Sequence, residues 1–218
     1  MNQESNHFIL IRPSDTTLKT TDVVERIISE IMTVGEVDVV GLDEGIFLVC
    51  SAINMATEIA KIHIDDVFIT YFEDQVLGKS SALSAHLGQK QIWDYGKLAE
   101  QEEKCMEDVE EQTISVSRAS TMERLLTISL LRLARFEKIR IVAAGGSIND
   151  AVSLALRITM GQISKDKVGI KLVHLYSIRM RNDPTKSIAA VSIYLQKGVS
   201  TECTKGQSDL LRKIENKK

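Results

Sequence analysis

The alternation of apolar and polar residues in the second part of the chain predicts four strands. Ile114 to Ser117 alternates over a few residues, and Lys138 to Ala143 is a second, more apolar strand. Val168 to Arg181 has a period of two, and Ser187 to Gln196 follows after the turn residues at 182–185. Period two predicts that one face of the long strand carries Val168, Ile170, Leu172, Tyr176, Ile178 and Met180.

Helical periodicity fills the two gaps between these strands. Ser120 and Glu123 have the spacing of a capping box, which predicts a helix from there to about Phe136. The residues Gly145-Gly146-Ser147 predict a tight turn into a second helix. One face of that helix carries Ile148, Ala151, Val152 and Ala155.

The first part of the chain shows the same order with changes. Asp22 with Glu25 predicts the start of a helix. A polar insertion at about 36–44 precedes the second strand, and a short second helix ends near Ile62. The four predicted strands are Phe8–Arg12, Ile46–Val49, Val67–Phe72 and Ser81–Leu87.

Two internal matches indicate a duplication of one module. Ala52-Ile53-Asn54-Met55-Ala56 resembles Ser147-Ile148-Asn149-Asp150-Ala151, and each follows an apolar run. Further along, residues 82–87 resemble residues 190–195, again in the same order. Because two matches in register are improbable by chance, the sequence predicts a tandem repeat of a β-α-β-α-β-β unit. We expect the copies to pack as a pseudo-symmetric pair through their second helices and sheets.

Charge divides the chain into segments of opposite sign. Residues 8–90 hold 6 Lys/Arg and 13 Asp/Glu, and residues 91–112 hold 2 and 8. Residues 113–197 hold 14 Lys/Arg and only 5 Asp/Glu, so the overall net charge of −3 conceals a basic module. The predicted organisation is an acidic domain (8–90), an acidic linker (91–112), a basic domain (113–197) and a polar tail (198–218).

Composition argues against several functional classes. Apolar residues make up 44% of the chain, but no run reaches the roughly 18 residues of a membrane helix. Three cysteines and four histidines are scattered without metal-ligand spacing, and no nucleophile–base set is visible. We therefore expect a cytoplasmic protein that is not an enzyme and has no cofactor, no metal and no membrane partner, although a metal site assembled in space is not tested by spacing.

The stretch Ile139-Arg-Ile-Val-Ala-Ala-Gly-Gly-Ser-Ile-Asn-Asp-Ala-Val resembles the archaeal chromatin protein family Alba. That resemblance covers residues 113–197 well and residues 8–90 faintly. It implies an α+β fold with two tandem β-α-β-α-β-β domains, in each of which two helices pack on a mixed four-stranded sheet. It also implies binding of DNA or RNA as a dimer, which a tandem chain would build as an intramolecular pseudo-dimer, with a further homodimer left open.

The resemblance also implies where nucleic acid binds. The family has a pair of lysines after strand one, where this chain has Arg118 and Ala119. It has arginines around the strand-two turn, where this chain has Ala144 and Gly146. Its basic hairpin arm is kept. The expected nucleic-acid-binding residues are Arg118, Ser147, Asn149, Arg179, Arg181 and Lys186.

Each of these residues has a plainer interpretation. Arg179, Arg181 and Lys186 are equally typical of a solvated hairpin tip, and Arg118 of a surface ion pair. Ser147 suits a helix cap, and Asn149 an exposed first turn. The leading hypothesis is a nucleic-acid-binding protein directed at the backbone with low sequence specificity. The alternative is a protein-interaction module that kept the fold and lost binding.

Overall fold

Each part of the chain folds into an alternating series of strands and helices. The computed structural model describes residues 7–15, 17–60, 62–74, 78–89, 112–160, 167–180 and 182–199. The first half contains β1 (Phe8–Ile11), α1 (Thr20–Val34), β2 (Glu36–Leu42), α2 (Gly45–Ala60), β3 (Ile62–Asp74) and β4 (Gly78–Gln89). The second half contains β5 (Thr113–Ser115), α3 (Met122–Arg135), β6 (Lys138–Ala144), α4 (Ile148–Met160), β7 (Val168–Met180) and β8 (Asp183–Lys197). Most of the expected linker and tail, and Arg181, lie outside the described residues.

The two sheets have the same topology. Strand order is β1-β2-β4-β3 in the first half and β5-β6-β8-β7 in the second. The first pair in each sheet is parallel and the other pairs are antiparallel, so both sheets are mixed. In both halves the two helices pack on the middle strand that precedes the second helix. The α+β class with two helices on a mixed four-stranded sheet in each half is confirmed.

The second strand of the first half is not where the pattern put it. The structure places β2 at Glu36–Leu42, which was interpreted as a polar insertion, and Ile46–Val49 lies inside α2. Val37 and Val39 alternate with Glu36 and Asp38, and both valines are buried. A short apolar run cannot by itself distinguish a strand from a buried helix, which explains the error.

That shift also corrects the first repeat match. The ladders pair Asp38 with His86 and Arg140 with Tyr194. These pairings make residues 36–42 equivalent to 138–144, so the Ser147-Ile148-Asn149 turn corresponds to residues 45–47. It does not correspond to residues 52–54. The second match, residues 82–87 with 190–195, lies at equivalent positions of β4 and β8.

Helix starts differ from the predicted caps by a few residues. The backbone N–H of Lys19 donates to Oδ2 of Asp22 at 3.0 Å, so Asp22 reaches back from the third helical position. In α3 the N-cap is Thr121 rather than Ser120, and its hydroxyl accepts from the N–H of Arg124. The N-termini of α1 and α3 are both capped by local side chains, because the first amides of a helix lack an intrahelical partner.

A bulge changes the face that β7 buries. The register shifts between Ile170 and Leu172, and beyond it Val173 and Leu175 are the buried residues. The single shared face that period two predicted for Val168 to Met180 is therefore wrong after Ile170, because one extra residue reverses every later side chain. The strand β3 has the same irregularity, between Ile64 and Asp66.

A continuous apolar core joins the two halves. It contains fully buried side chains from both, among them Ile53, Leu83, Leu154 and Ile193. The second helices contact each other, and each also crosses to the other half: α2 contacts β7 and β8, and α4 contacts β3 and β4. The expected contact through the second helices and sheets is therefore present.

Three polar contacts fix the relative position of the halves. The N–H of Phe47, at the start of α2, donates to Oδ1 of Asn149 at 3.1 Å. The Nδ2 of buried Asn54 donates to the carbonyl of Tyr176 at 2.9 Å. Ser81 and Ser153 share a hydroxyl contact at 3.2 Å. Hydrogen bonds need defined geometry, so they select one docking of an otherwise apolar interface.

The face of the first sheet turned away from the helices carries a histidine among carboxylates. Nδ1 of His86 lies 2.8 Å from Oδ1 of Asp38, and its Nε2 lies 3.7 Å from Glu36 and 4.0 Å from Asp65. His63 contacts the other oxygen of Asp65. The hydrogen bond to Asp38, with the nearby carboxylates, raises the pKa of His86 against the opposing effect of its partial burial.

Replacing Asn54 should weaken the contact between the halves. In Asn54→Ala the carbonyl of Tyr176 loses the donor that buried Asn54 supplies, which costs about 1–3 kcal/mol of unfolding free energy. Glu58→Ala, an exposed change in the same helix, should cost less than about 0.5 kcal/mol. Urea denaturation measures both. Equal effects of the two variants would contradict the role of Asn54.

Stability should depend on pH through His86. Because the folded state raises the pKa of His86, its contribution is fully present below the ordinary histidine value of about 6.5. It is lost as pH rises through the raised pKa of the folded state. The destabilisation caused by His86→Gln should therefore be largest below about pH 6.5 and shrink as the pH rises above that value, as measured by urea denaturation. A destabilisation by His86→Gln that stays constant across this pH range would refute the assignment.

Candidate nucleic-acid interface

One edge of the second sheet collects most of the residues singled out in the sequence. The parallel strands β5 and β6 both end there, because Ser115 pairs with Val142. The last residue of β6, Ala144, pairs with Ala190 of β8. The β7–β8 hairpin continues beyond that pair to Met180 and Asp183. The loop after β5, the turn after β6 and the hairpin arm therefore meet at this edge, called here the basic edge.

Arg118 lies on the turn that starts α4. A methyl group at Gly146 would lie 2.7 Å from Nη2 of Arg118 and 3.4 Å from its Cζ. The absent side chain of Gly146 therefore leaves the space that the guanidinium occupies. Gly145 has φ of 59°, a left-handed conformation that favours glycine. The two glycines let the chain turn sharply and bring a cation beside the first amides of α4.

The residues at the start of α4 are less available to a ligand than the sequence suggested. Ser147 is only 6% exposed, so little of it is accessible to a ligand. Asn149 is partly exposed, and its Oδ1 accepts the N–H of Phe47 from the other half. Both residues follow Gly146, against which Arg118 lies, and Asn149 also holds the two halves together. A side chain amide has further hydrogen-bonding capacity, which a phosphate oxygen can use.

The hairpin arm carries exposed cations. Arg179 is exposed and pairs with Ser187 in the ladder. The Nζ of Lys186 lies 2.9 Å from Oδ2 of Asp183. Hydrogen bonds from Thr185 and Lys186 lower the pKa of the Asp183 carboxyl. Lys186 therefore shares its charge with a neighbour, whereas Arg181 lies outside the described residues.

The corresponding edge of the first half has the opposite charge. Asp43 and Glu44 stand where the second half has Gly145 and Gly146. Asp43 has φ of 44°, the same left-handed turn, and its Oδ1 accepts the N–H of Ser81 at 2.8 Å. Carboxylates at this turn repel phosphate. Among the described residues, the turn before the second helix is therefore acidic in the first half and carries a cation in the second, while the exposed Arg12 and Lys79 also lie at this edge of the first sheet.

Sequence reasoning overlooked the face of the second sheet that is turned away from the helices. Arg140 donates from Nη2 to the hydroxyl of Ser192 at 2.9 Å, and its guanidinium lies 5.5 Å from the ring of Tyr194. On the neighbouring strand the rings of His174 and Tyr176 stack at 5.3 Å. The alternation of Arg140 with Ile139 and Ile141 was a signal for this outward arginine.

The described residues offer little for catalysis or metal binding. Within them no group of three or more His, Cys, Asp or Glu is placed to hold a metal ion. Burial raises the pKa of the Cys50 thiol to about 12, so this sulfur stays protonated and unreactive. In the same part of the chain, every helix falls short of the length and apolarity that crossing a membrane requires.

Comparison with known proteins finds similarity among solved structures. No family model and no curated protein matches the chain. The chain is similar to the crystal structure of ALBA1 from Trypanosoma brucei, with 17% identity and a TM-score of 0.33. The match covers 48% of this chain and 85% of that one. The α+β architecture described above is therefore established by the strand order and helix packing of the chain itself.

Proposed function

We propose that this chain is a non-enzymatic nucleic-acid-binding protein of Alba type that contacts the backbone of DNA or RNA with low sequence specificity. The observation that supports it most is the guanidinium of Arg118 lying on Gly146 beside the start of α4. A helix N-terminus with an adjacent cation is suited to a phosphate, because its amides point outward and its dipole favours negative charge.

The hairpin supplies the second contact in this proposal. Arg179 and Lys186 project from the arm that extends past Ala144. An arm of this kind follows the phosphate backbone away from the turn, so that one ligand touches both sites. Contacts to phosphate position a nucleic acid but do not read its bases, which is why low specificity is expected.

The first half serves as the structural partner in an intramolecular pseudo-dimer. Its second helix is buried against β7 and β8, in the shared core. Through Phe47 it also holds Asn149 at the start of α4. Its own edge carries Asp43 and Glu44, so the binding surface of the proposed pseudo-dimer is one-sided.

A second candidate function has its own support. The acidic turn at Asp43 and the pairing of Lys186 with Asp183 both reduce the positive charge that a polyanion would meet. A protein-interaction module that kept the fold and lost nucleic-acid binding would have these features. Retention on duplex DNA and duplex RNA at rising salt separates the two, since phosphate binding falls steeply with salt.

Removing the two arginines should change the salt dependence of binding. For Arg118→Ala/Arg179→Ala we expect weaker binding to all duplex sequences, with the slope of log affinity against log salt smaller by roughly 1.8, at about 0.9 per lost phosphate contact. Lys186→Ala should cost less, because Asp183 already neutralises part of its charge. Titrations at several salt concentrations measure these slopes.

The matched control removes two exposed arginines elsewhere. Arg26→Ala/Arg135→Ala makes the same change in net charge on α1 and α3. Equal slopes in the site variant and the control would remove the site assignment. No binding by the unaltered chain at low salt would instead favour the protein-interaction module.

Gly146→Ala separates positioning from charge. The added methyl group must displace the flexible end of Arg118, which costs little stability because a side chain tip moves easily. We expect a melting temperature close to that of the unaltered chain, and weaker nucleic-acid binding because the cation leaves the turn. Fluorescence titration and thermal denaturation test the two parts. Full affinity in Gly146→Ala would show that the position of Arg118 does not matter.

A further inference from the structure

The outer faces of the two sheets carry opposite charges at equivalent positions. Equivalence follows from the ladders, in which Glu36 and Lys138 begin β2 and β6. Two residues later Asp38 opposes His86, and Arg140 opposes Tyr194. In both strands the charged residues alternate with core residues. These charged side chains therefore lie on the face turned away from the helices.

The same reversal of charge between the halves occurs on β3 and β7, at the bulge of each strand. The register of β3 skips Asp65, and the register of β7 skips Lys171, each the fourth residue of its strand. Asp65 reaches His63 and His86, which places it on the outer face. Three equivalent pairs therefore carry opposite charge: Glu36 with Lys138, Asp38 with Arg140, and Asp65 with Lys171.

Most of these charges are accessible, whereas the side chain of Asp38 is only 20% exposed and is hydrogen-bonded to His86. The side chains of Glu36 and Asp65 are 68% and 41% exposed. Lys138 and Lys171 are exposed, and Arg140 is partly exposed beside Tyr194. The acidic face is defined here as Glu36, Asp38, Asp65 and the exposed Asp66. The basic face is defined as Lys138, Arg140 and Lys171.

We infer that the acidic face of one molecule docks on the basic face of a second copy of this chain. The basic face carries three cations and the acidic face four carboxylates, so the two faces are opposite in sign. Face-to-face docking turns one pattern over relative to the other, so the attraction follows from the sign of each whole face and not from the pairing of equivalent residues. A polyanion is the other possible occupant of the basic face, but it would leave the acidic face without a partner. The contact joins two different surfaces, so it is heterologous and continues head to tail into short chains of molecules.

The strength of the contact follows from its exposure. Ion pairs between exposed side chains are individually weak and are screened by salt. The Debye length falls from about 30 Å at about 0.01 M salt to about 3 Å at about 1 M. Association is therefore concentration-dependent, strongest at low salt and lost at high salt. It is independent of the proposed nucleic-acid binding, which uses the basic edge.

Exchanging the charges of the two faces tests this contact. Sedimentation velocity of the full chain, free of nucleic acid, should show a sedimentation coefficient that rises with concentration at low salt and stays constant at high salt. Glu36→Lys/Asp65→Lys removes the net charge of the acidic face, and Lys138→Glu/Lys171→Glu changes the net charge of the basic face from +3 to −1. Each variant alone should sediment as a single molecule, and an equimolar mixture should associate again.

The controls change net charge equally at other exposed sites. Glu25→Lys/Glu58→Lys and Arg26→Glu/Arg124→Glu lie on helices, and both should associate as the unaltered chain does. Circular dichroism establishes that each variant is folded. Recovery of association in the mixture supports the contact, since misfolded variants would not complement each other. A concentration-independent sedimentation coefficient of the unaltered chain at low salt overturns it, as does equal loss of association in the controls.

Discussion

The structure depends on the burial of α2 and α4 in one core that both halves share. Each of these helices contacts its own sheet and also the last two strands of the other half. Fully buried residues such as Ile53 and Leu154 come from opposite halves and belong to the same cluster. Burying apolar surface is the dominant favourable contribution to folding, so neither half completes its core without the other.

This shared core also explains how the duplicated chain became asymmetric. Core positions of the two halves must stay apolar, because both sheets pack on the same pair of helices. Exposed positions on the outer faces and at the edges have no such constraint, and several of them carry opposite charges in the two halves. Glu36 occupies the position in the first half that Lys138 occupies in the second, and Asp43 is likewise the equivalent of Gly145. The fold is repeated, whereas the electrostatic surface is not.

Because their surfaces differ, the two halves have different roles in the proposed function. The second half presents a cation on a glycine turn, and the first half holds that turn in place through Phe47 and Asn149. The hydrogen bonds described between the two halves lie in a largely apolar interface. Their net contribution is modest, about 1 kcal/mol each, but they favour one relative orientation of the halves.

Periodicity identified most elements where a pattern was long enough to be unambiguous. The long alternating strands and the second repeat match were predicted in place, and so was the β-α-β-α-β-β order. Short segments failed for a physical reason. Ile46–Val49 is apolar in either secondary structure, and only the pairing of Glu36–Leu42 with β4 decides that it is helical.

The sequence alone determined the class of fold, the duplication and the division into acidic and basic parts, because composition and period are local properties. The tertiary structure decided which residues meet. It brought Arg118 to Gly146, and it engaged Asn149 with Phe47. It also shifted the register at Asp65 and Lys171, which turned Asp66 and Leu172 to the outer faces beside His86 and Tyr194. Such contacts join residues far apart in the chain, and they follow from packing both sheets on one pair of helices.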